Sequence, residues 1–479
     1  MEPFIVTPNN PEFFAENDSK TIQNAVDYAS KNDINKVVIP RFNARTGENK
    51  WISDEVVRLP SDMHIVLDNC FMQKADDVLG GFFCSENYTE KIDCRLRNIK
   101  ITGIGNAVLD GGKPTALNEL TAKEFGIPAS VNTPILFVNV EHFKVENIAI
   151  SNQRYWGMRF EFCAQGIIRD IFFDIYKDRR NQDGINLRNG CHDILIENIS
   201  GMTGDDMIAL SAIDVPHTKG IFKKYSLIVK DHDWDIHDVT IRNISGAAIH
   251  HPLVALRNHN GAKIYNINIE NIKDTEQIHY TQYEEKFNYE RYALITVGCN
   301  AYYKTESIMG DTFNISVNNV FCRHSYRAVY VQSTLKNCRF ANIFASDKCR
   351  HIVSVMPDGW ASAHSGVTME NVTFENVFFE ADKKAPTSIL TAEPDLNATV
   401  VDFPKMRDCD YVKNLYFNNV TLKNVDCFAE IAESAKDRIE ITLGNIVADS
   451  PEVLEFHISN IPDAKKWYWG DPDLPQDQI

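Results

Sequence analysis

A short hydrophobic pattern returns along the middle of the chain. Ile194-Leu195-Ile196-Glu197-Asn198-Ile199 is echoed by Val239-Thr240-Ile241-Arg242-Asn243-Ile244, by Ile267-Asn268-Ile269-Glu270-Asn271-Ile272 and by Ile315-Ser316-Val317-Asn318-Asn319-Val320. Further copies are Val145-Glu146-Asn147-Ile148, Arg169-Asp170-Ile171, Cys338-Arg339-Phe340-Ala341-Asn342-Ile343, Thr373-Phe374-Glu375-Asn376-Val377 and Leu422-Lys423-Asn424-Val425. The shared form is apolar, any, apolar, any, Asn, apolar. Its first half alternates as a short strand with one buried face does. The slip at Asn would turn every later side chain outward, unless the chain bends there. Asn suits such a bend because it tolerates the left-handed region.

The spacing of the Asn or Asp positions decides the architecture. Between 147 and 342 the steps are 23, 28, 45, 28, 48 and 23 residues. They fit one unit of 23–28 residues, with two units wherever a copy has drifted. A helical solenoid needs longer units with a 3.6-residue period, and a leucine-rich repeat needs Leu-x-x-Leu-x-Leu; neither pattern is present. The reading is all-β, a parallel β-helix in which each coil pairs with the next. A β-propeller or a sandwich is the alternative.

The ends read as caps. After Asp18-Ser19-Lys20, the residues Ile22, Ala25, Val26 and Ala29 fall on one helical face, with Asp or Ser as the N-cap. Such a helix would cover the open end of the solenoid and its unpaired strand edges. Val37-Val38-Ile39-Pro40 and Ile65-Val66-Leu67 read as the first strands. The expected layout is one domain, 1–479, with a cap at 18–40, coils from about 60 to 445 and a tail from about 446 to 479. The tail, with Trp467-Tyr468-Trp469, is expected to pack back on the barrel or on a partner subunit, which leaves a homo-oligomer open.

Composition narrows the partners. The 479 residues carry 49 Lys and Arg against 66 Asp and Glu, a net charge of −17. That disfavours nucleic acid and anionic membranes, and no apolar run reaches the ~20 residues of a membrane helix. The 11 cysteines show neither framework spacing nor a CxxC pair, so buried free thiols are expected rather than disulfides or zinc. The N-terminus, Met1-Glu2-Pro3-Phe4, lacks a signal-like pattern. The expectation is a cytoplasmic protein, or a secreted or periplasmic one if a leader has been trimmed.

Aligning coils by their strands gathers candidate chemistry. Asp183-Gly184-Ile185-Asn186-Leu187 falls beside Asp206-Met207-Ile208-Ala209-Leu210, with Trp156-Gly157-Met158 one coil earlier. Pro252-Leu253-Val254-Ala255-Leu256 follows at an offset of 46, read as two coils, which puts His251 in the column of Asp205. One wall would then carry Asp183, Asp205 and Asp206, flanked by Trp156, His250, His251 and Arg257. Stacked carboxylates repel, and at least one pKa must rise. An acid beside ionised carboxylates suits glycosidic hydrolysis, one group protonating the leaving oxygen and another activating water. A calcium site, or acids simply solvated on a loop, is the plainer reading.

Asn181-Gln182-Asp183-Gly184 and Gly204-Asp205-Asp206 resemble the Asn-Thr-Asp and Gly-Asp-Asp motifs of polygalacturonases, glycoside hydrolase family 28. Thr21-Ile22-Gln23-Asn24-Ala25-Val26, Ile101-Thr102-Gly103-Ile104-Gly105 with Leu109-Asp110-Gly111, and Arg291-Tyr292-Ala293-Leu294-Ile295 are similar to further family segments. The resemblance runs from about residue 18 to 345, and the coils continue to about 425. It implies a right-handed β-helix and an inverting hydrolase of galacturonan or rhamnogalacturonan chains that uses no cofactor and no metal. It implies Asp206 as general acid, Asp183 and Asp205 as activators of water, and Tyr292 near the cleft, with Arg257 placed to pair with a uronate carboxylate. Position in the coils, rather than the resemblance, adds Trp156, His250, His251 and Arg327 as candidate substrate contacts beside Asn181 of the motif.

Two departures bear on specificity. The family's Gly-His-Gly is expected some 21 residues after Asp206, where Lys223-Lys224-Tyr225 stands, so His217, His250 or His251 would have to replace it. Of the family's Arg-Ile-Lys only Arg257 has a counterpart. A lyase or epimerase, or a silent glycan-binding protein, is the competing function. The inserts 216–226 and 280–288 could block a cleft.

Overall fold

The computed structural model describes residues 5–76, 78–88, 91–112, 132–175, 181–213, 229, 232–249, 251–259, 261–276, 293–298, 311–355, 368–382, 388–391, 411–432, 436–454 and 456–459. Within them the chain winds as a right-handed parallel β-helix. Every pairing between named strands is parallel, in one sheet of 19 strands and one of 13. That excludes the propeller and the sandwich, both of which are built on antiparallel pairs.

The repeat builds the larger sheet. Strands Ile264–Asp274, Thr312–Cys322 and Leu335–Asp347 each run 11 to 13 residues. Each carries left-handed residues five apart, such as Asn266 at φ 55° and Asn271 at φ 55°. The bends fold one long strand around two sides of the barrel. The apolar residues on either side of a bend both reach the interior: Ile194, Ile196 and Ile199, like Ile267, Ile269 and Ile272, are at most 2% exposed. Side-chain amides then bond from coil to coil. Asn243 donates to Asn198 at 2.9 Å, Asn271 to Asn243 at 2.9 Å and Asn319 to Asn271 at 2.9 Å. Inside the barrel, Phe340, Phe374 and Phe417 stack with centroids 4.7 and 5.1 Å apart, near the spacing of adjacent strands.

Three details correct the sequence reading. The 45- and 48-residue steps are single coils, since Ile199 pairs directly with Ile244 and Ile272 with Val320. The surplus residues lie between strands, not in drifted copies. In the last full coil the partner of Asn376 is Asn419, at 3.2 Å. Asn424 is bent too, at φ 55°, but its N–H donates to Asp449 and it stands outside the ladder. At the cap, the helix Asp18–Lys31 is closed by Asn17, whose side chain accepts from the Lys20 N–H at 2.8 Å. Asp18 and Ser19 face the first coils instead. Asp18 pairs with Arg45 and accepts from the Ile52 N–H, and Ser19 accepts from the Asp54 and Glu55 N–H groups.

The helix buries Ile22, Ala25, Val26 and Ala29 at 0% exposure, closing the end of the barrel as expected. The strands Lys36–Pro40 and His64–Asp68 pair as its first neighbours. Nine cysteines are described; all are free, and all but Cys94 are buried. No described helix is long and apolar enough to cross a membrane. The tail residues Trp467, Tyr468 and Trp469 lie outside the described residues.

Candidate active site

The smaller sheet holds the candidate chemistry at the lead-in to three successive strands. Ile185–Arg188, Ile208–Ile213 and Val254–His259 pair in order, with Ile185 beside Ile208 and Ile208 beside Val254. Extending that register backward sets Asp183 beside Asp206, and Asp205 beside His251. The 46-residue offset is therefore one coil, not two. Counting 21 residues past Asp206 lands outside the described residues, whereas one coil past Asp205 lands on His251.

The turn before each strand is held by its own backbone and amides. The Gly184 N–H donates to the Asp206 carbonyl at 2.8 Å, and the Gly157 N–H to the Asp183 carbonyl at 2.8 Å. A Cβ on Gly184 would sit 2.4 Å from the Met207 carbonyl oxygen. This close approach explains why glycine follows Asp183. Gln182 donates to the Gln153 carbonyl at 2.7 Å, and Thr203 to the Asp205 carbonyl at 2.7 Å. Both are buried and fix the coil that carries the acids.

The three carboxylates are buried, with Asp183 at 3%, Asp205 at 8% and Asp206 at 0% exposure. Asp205 accepts from the Asn181 N–H at 3.2 Å and from the Asp206 N–H at 2.9 Å. His251 Nδ1 lies 3.0 Å from Asp205 Oδ1 and 3.9 Å from Asp206 Oδ1. Arg257 Nη1 ion-pairs with Asp206 Oδ2. Asp206 Oδ1 has no hydrogen-bond donor among the described residues. The Asn186 amide faces Asp183 outside hydrogen-bond geometry.

This setting pulls the acids apart. Burial, then repulsion from Asp205 and Asp206, raises Asp183 well above the ordinary carboxylate range. Burial also raises Asp206, and Arg257 takes back only part of the rise. Burial acts on Asp205 as well, but His251 and Arg257 outweigh it and hold that carboxyl below its usual range. His251 is raised in turn. Burial disfavours its imidazolium, and attraction to Asp205 and Asp206 overcomes this. The wall thus offers a proton-holding carboxylic acid beside an ionised carboxylate.

Asp205, Asp206 and His251 also bring three potential metal ligand atoms within 4.8 Å of one another. The surroundings suit a cation poorly. Arg257 already holds Asp206, and a raised His251 pKa favours imidazolium, which has no lone pair to give a metal.

Other expected contacts fall elsewhere. Trp156 leads in to the strand preceding Asp183, but it is 8% exposed and stacks on Tyr155. Arg159 and Arg188 lie 5.7 and 5.4 Å from its ring centroid, so it is packed among cations and offers little face to a sugar. Arg327 shares the column of Asp206 three coils on, yet is 2% exposed, donates to Ser354 at 2.8 Å and covers the Tyr326 and Tyr330 rings. His232 packs edge-on against Phe162. His250, Tyr292, His217, Lys223-Lys224-Tyr225 and the inserts 216–226 and 280–288 lie outside the described residues. Asn186 escaped the sequence reading; the signal was a polar residue between the inward Ile185 and Leu187, at a position alternation turns toward the acids.

Residues 60–224 match the family model described as glycosyl hydrolases family 28. Over that segment the chain is similar to that family. The matched segment contains Asp183, Asp205 and Asp206 but ends before His251 and Arg257, which join the acids through coil register. No curated protein matches the chain. In shape the chain is similar to a hyperthermoactive exopolygalacturonase from Thermotoga maritima, at 13% identity and a TM-score of 0.50 over 94% of this chain and 92% of that one. It is similar to a tailspike protein mutant of E. coli bacteriophage HK620, at 12% identity and a TM-score of 0.50 over 91% and 74%. A family 28 exopolygalacturonase from Yersinia enterocolitica follows at 14% identity, with 95% and 77% covered and a TM-score of 0.47. At such identities the likeness concerns the fold.

Proposed function

We propose that the chain is a glycoside hydrolase that cleaves pectin-derived or related oligosaccharides with inversion at the anomeric carbon. The observation that carries the reading is the opposed pull on neighbouring buried acids, Asp183 and Asp206 raised and Asp205 lowered.

Asp206 gives its proton to the glycosidic oxygen as the bond to the anomeric carbon breaks. A water held by Asp183 and Asp205 attacks that carbon from the opposite face and loses its proton to the ionised carboxylate. The products are a new reducing end of inverted configuration and a free hydroxyl on the leaving sugar. Arg257 stabilises the carboxylate left on Asp206, and His251 keeps Asp205 ionised to receive the water's proton. The three carboxyls act on one another through space, so the triad titrates as a unit.

The test is a screen of reducing-sugar release over galacturonan and rhamnogalacturonan oligosaccharides, with Asp206→Asn beside the wild type. The variant is expected to lose about 10²–10⁴-fold on the natural linkage, and much less on a nitrophenyl glycoside whose leaving group needs no acid. Unchanged turnover of the natural linkage by Asp206→Asn would remove Asp206 from the acid's role. An unsaturated product with new ultraviolet absorbance would mark elimination and overturn hydrolysis. Binding of a glycan with no cleavage of any would favour a silent binding protein.

A further inference from the structure

We propose that the chain's own segment 460–479, through Trp467-Tyr468-Trp469, covers the far end of the barrel and keeps a second copy from docking there. The inference is independent of the glycosidase reading.

Each end of a parallel β-helix leaves apolar side chains and a row of backbone N–H and C=O groups without a neighbouring coil. The helix Asp18–Lys31 covers the first end. The other end differs. The last strands of the larger sheet, Ile439–Leu443 and Ile446–Ala448, pair on one side with Tyr411–Lys423 and have no strand on the other among the described residues. One coil inward, Val412, Leu415, Phe417, Val420 and Leu422 are at most 1% exposed. Ile439, Ile441, Leu443, Ile446 and Ala448 continue those same columns, yet each is only partly buried. The turn Pro451–Leu454 shields little more than its own Val453 and leaves Leu454 exposed. Five side chains at core positions thus face an end that the described residues leave open.

Counting along the coil brings a cover to this face. Ile458 pairs with Ile431 in the smaller sheet. The chain crosses from Ile431 to Ile439 in eight residues, and the same step from Ile458 reaches Lys466. Trp467-Tyr468-Trp469 then falls over Ile439–Leu443, and three rings supply the apolar area that this coil lacks. Ile446 lies 15 residues past Ile431, and the same step from Ile458 reaches Asp473, between Pro472 and Pro475. Proline has no N–H for a further strand, so a segment that covers the edge here also ends the pairing. That favours the chain's own segment over a second copy, which would extend the sheet.

Residue-resolved hydrogen exchange on the full chain tests this, read at the amides of 439–448 that do not bond the preceding coil. They should exchange about tenfold or more slowly than an unpaired edge, at the same rate after dilution. Trp467→Ala with Trp469→Ala should abolish that protection and leave Lys36–Pro40 unchanged. Free exchange in the wild type would overturn the cover. Protection lost on dilution would assign the face to a second copy, and protection that survives the double substitution would assign it to another segment; either overturns the proposal. Should the variant not fold, carbodiimide coupling of the wild type decides. A bond from Lys465 or Lys466 to the exposed Glu440 within one chain supports the cover. No such bond, or bonds only between isotope-labelled and unlabelled chains, would overturn it.

Discussion

Asn243 tests how the coil is built. It sits at φ 58° between the buried Ile241 and Ile244. Its amide donates to Asn198, and its carbonyl oxygen accepts from Asn271, both at 2.9 Å. Asn243→Ala removes both bonds and leaves in the left-handed region a residue without the short amide side chain that lets Asn tolerate it. The strain costs about 1–2 kcal/mol, and the two exposed bonds add about 1 kcal/mol together, so Ala should destabilise by about 2–3 kcal/mol. Asn243→Gly loses the same bonds without strain, and pays only about 0.5–1 kcal/mol in unfolded-chain entropy. Gly should therefore be the more stable variant by about 0.5–1 kcal/mol, the reverse of the order in an ordinary strand. Urea unfolding followed by fluorescence and by far-ultraviolet circular dichroism measures both, two probes being needed because solenoids can unfold in steps. Ala equal to or more stable than Gly would refute the left-handed bend as the origin of the Asn repeat.

Gly184→Ala should destabilise by about 2–3 kcal/mol, because its Cβ meets the Met207 carbonyl oxygen, which belongs to backbone and cannot swing away; thermal unfolding within 1 °C of wild type would contradict the close approach. Asp183→Asn should raise the melting temperature at neutral pH while lowering turnover. The raised Asp183 binds its proton more tightly when folded, so wild-type stability falls as pH rises from the ordinary carboxylate range through the folded pKa, and the amide removes that fall. His251→Gln should act in a higher window. The stability contributed by the raised imidazolium is complete below the ordinary His pKa and is lost as pH rises through the folded value, so wild type and variant should converge on the alkaline side. A constant difference from pH 5 to 9 would place the origin of the His251 effect outside its charge.

The sequence by itself determined the fold. Alternation followed by a slip at Asn leaves both flanking pairs of apolar residues inward only if the backbone bends, and a bend repeated at coil length closes a parallel barrel. It also paired Asp183 with Asp206 and Asp205 with His251, because strands that repeat align their lead-in residues by count. Tertiary structure decided what counting alone misassigned or could not reach. The 45- to 48-residue steps hold one coil each, since insertions between strands change sequence distance without changing the ladder, and so His251 follows Asp205 by one coil rather than two. Structure also separated the packed Trp156 and Arg327 from the partly accessible Arg257. Trp156 and Arg327 share the column of Asp206 while Arg257 follows within its own strand, and burial depends on what neighbouring coils place over each position. The charge states of the acids were likewise beyond the sequence. A carboxylate's pKa depends on the cations and the solvent around it, and only the meeting of Asp205 with His251, and of Asp206 with Arg257, sets which acid holds a proton.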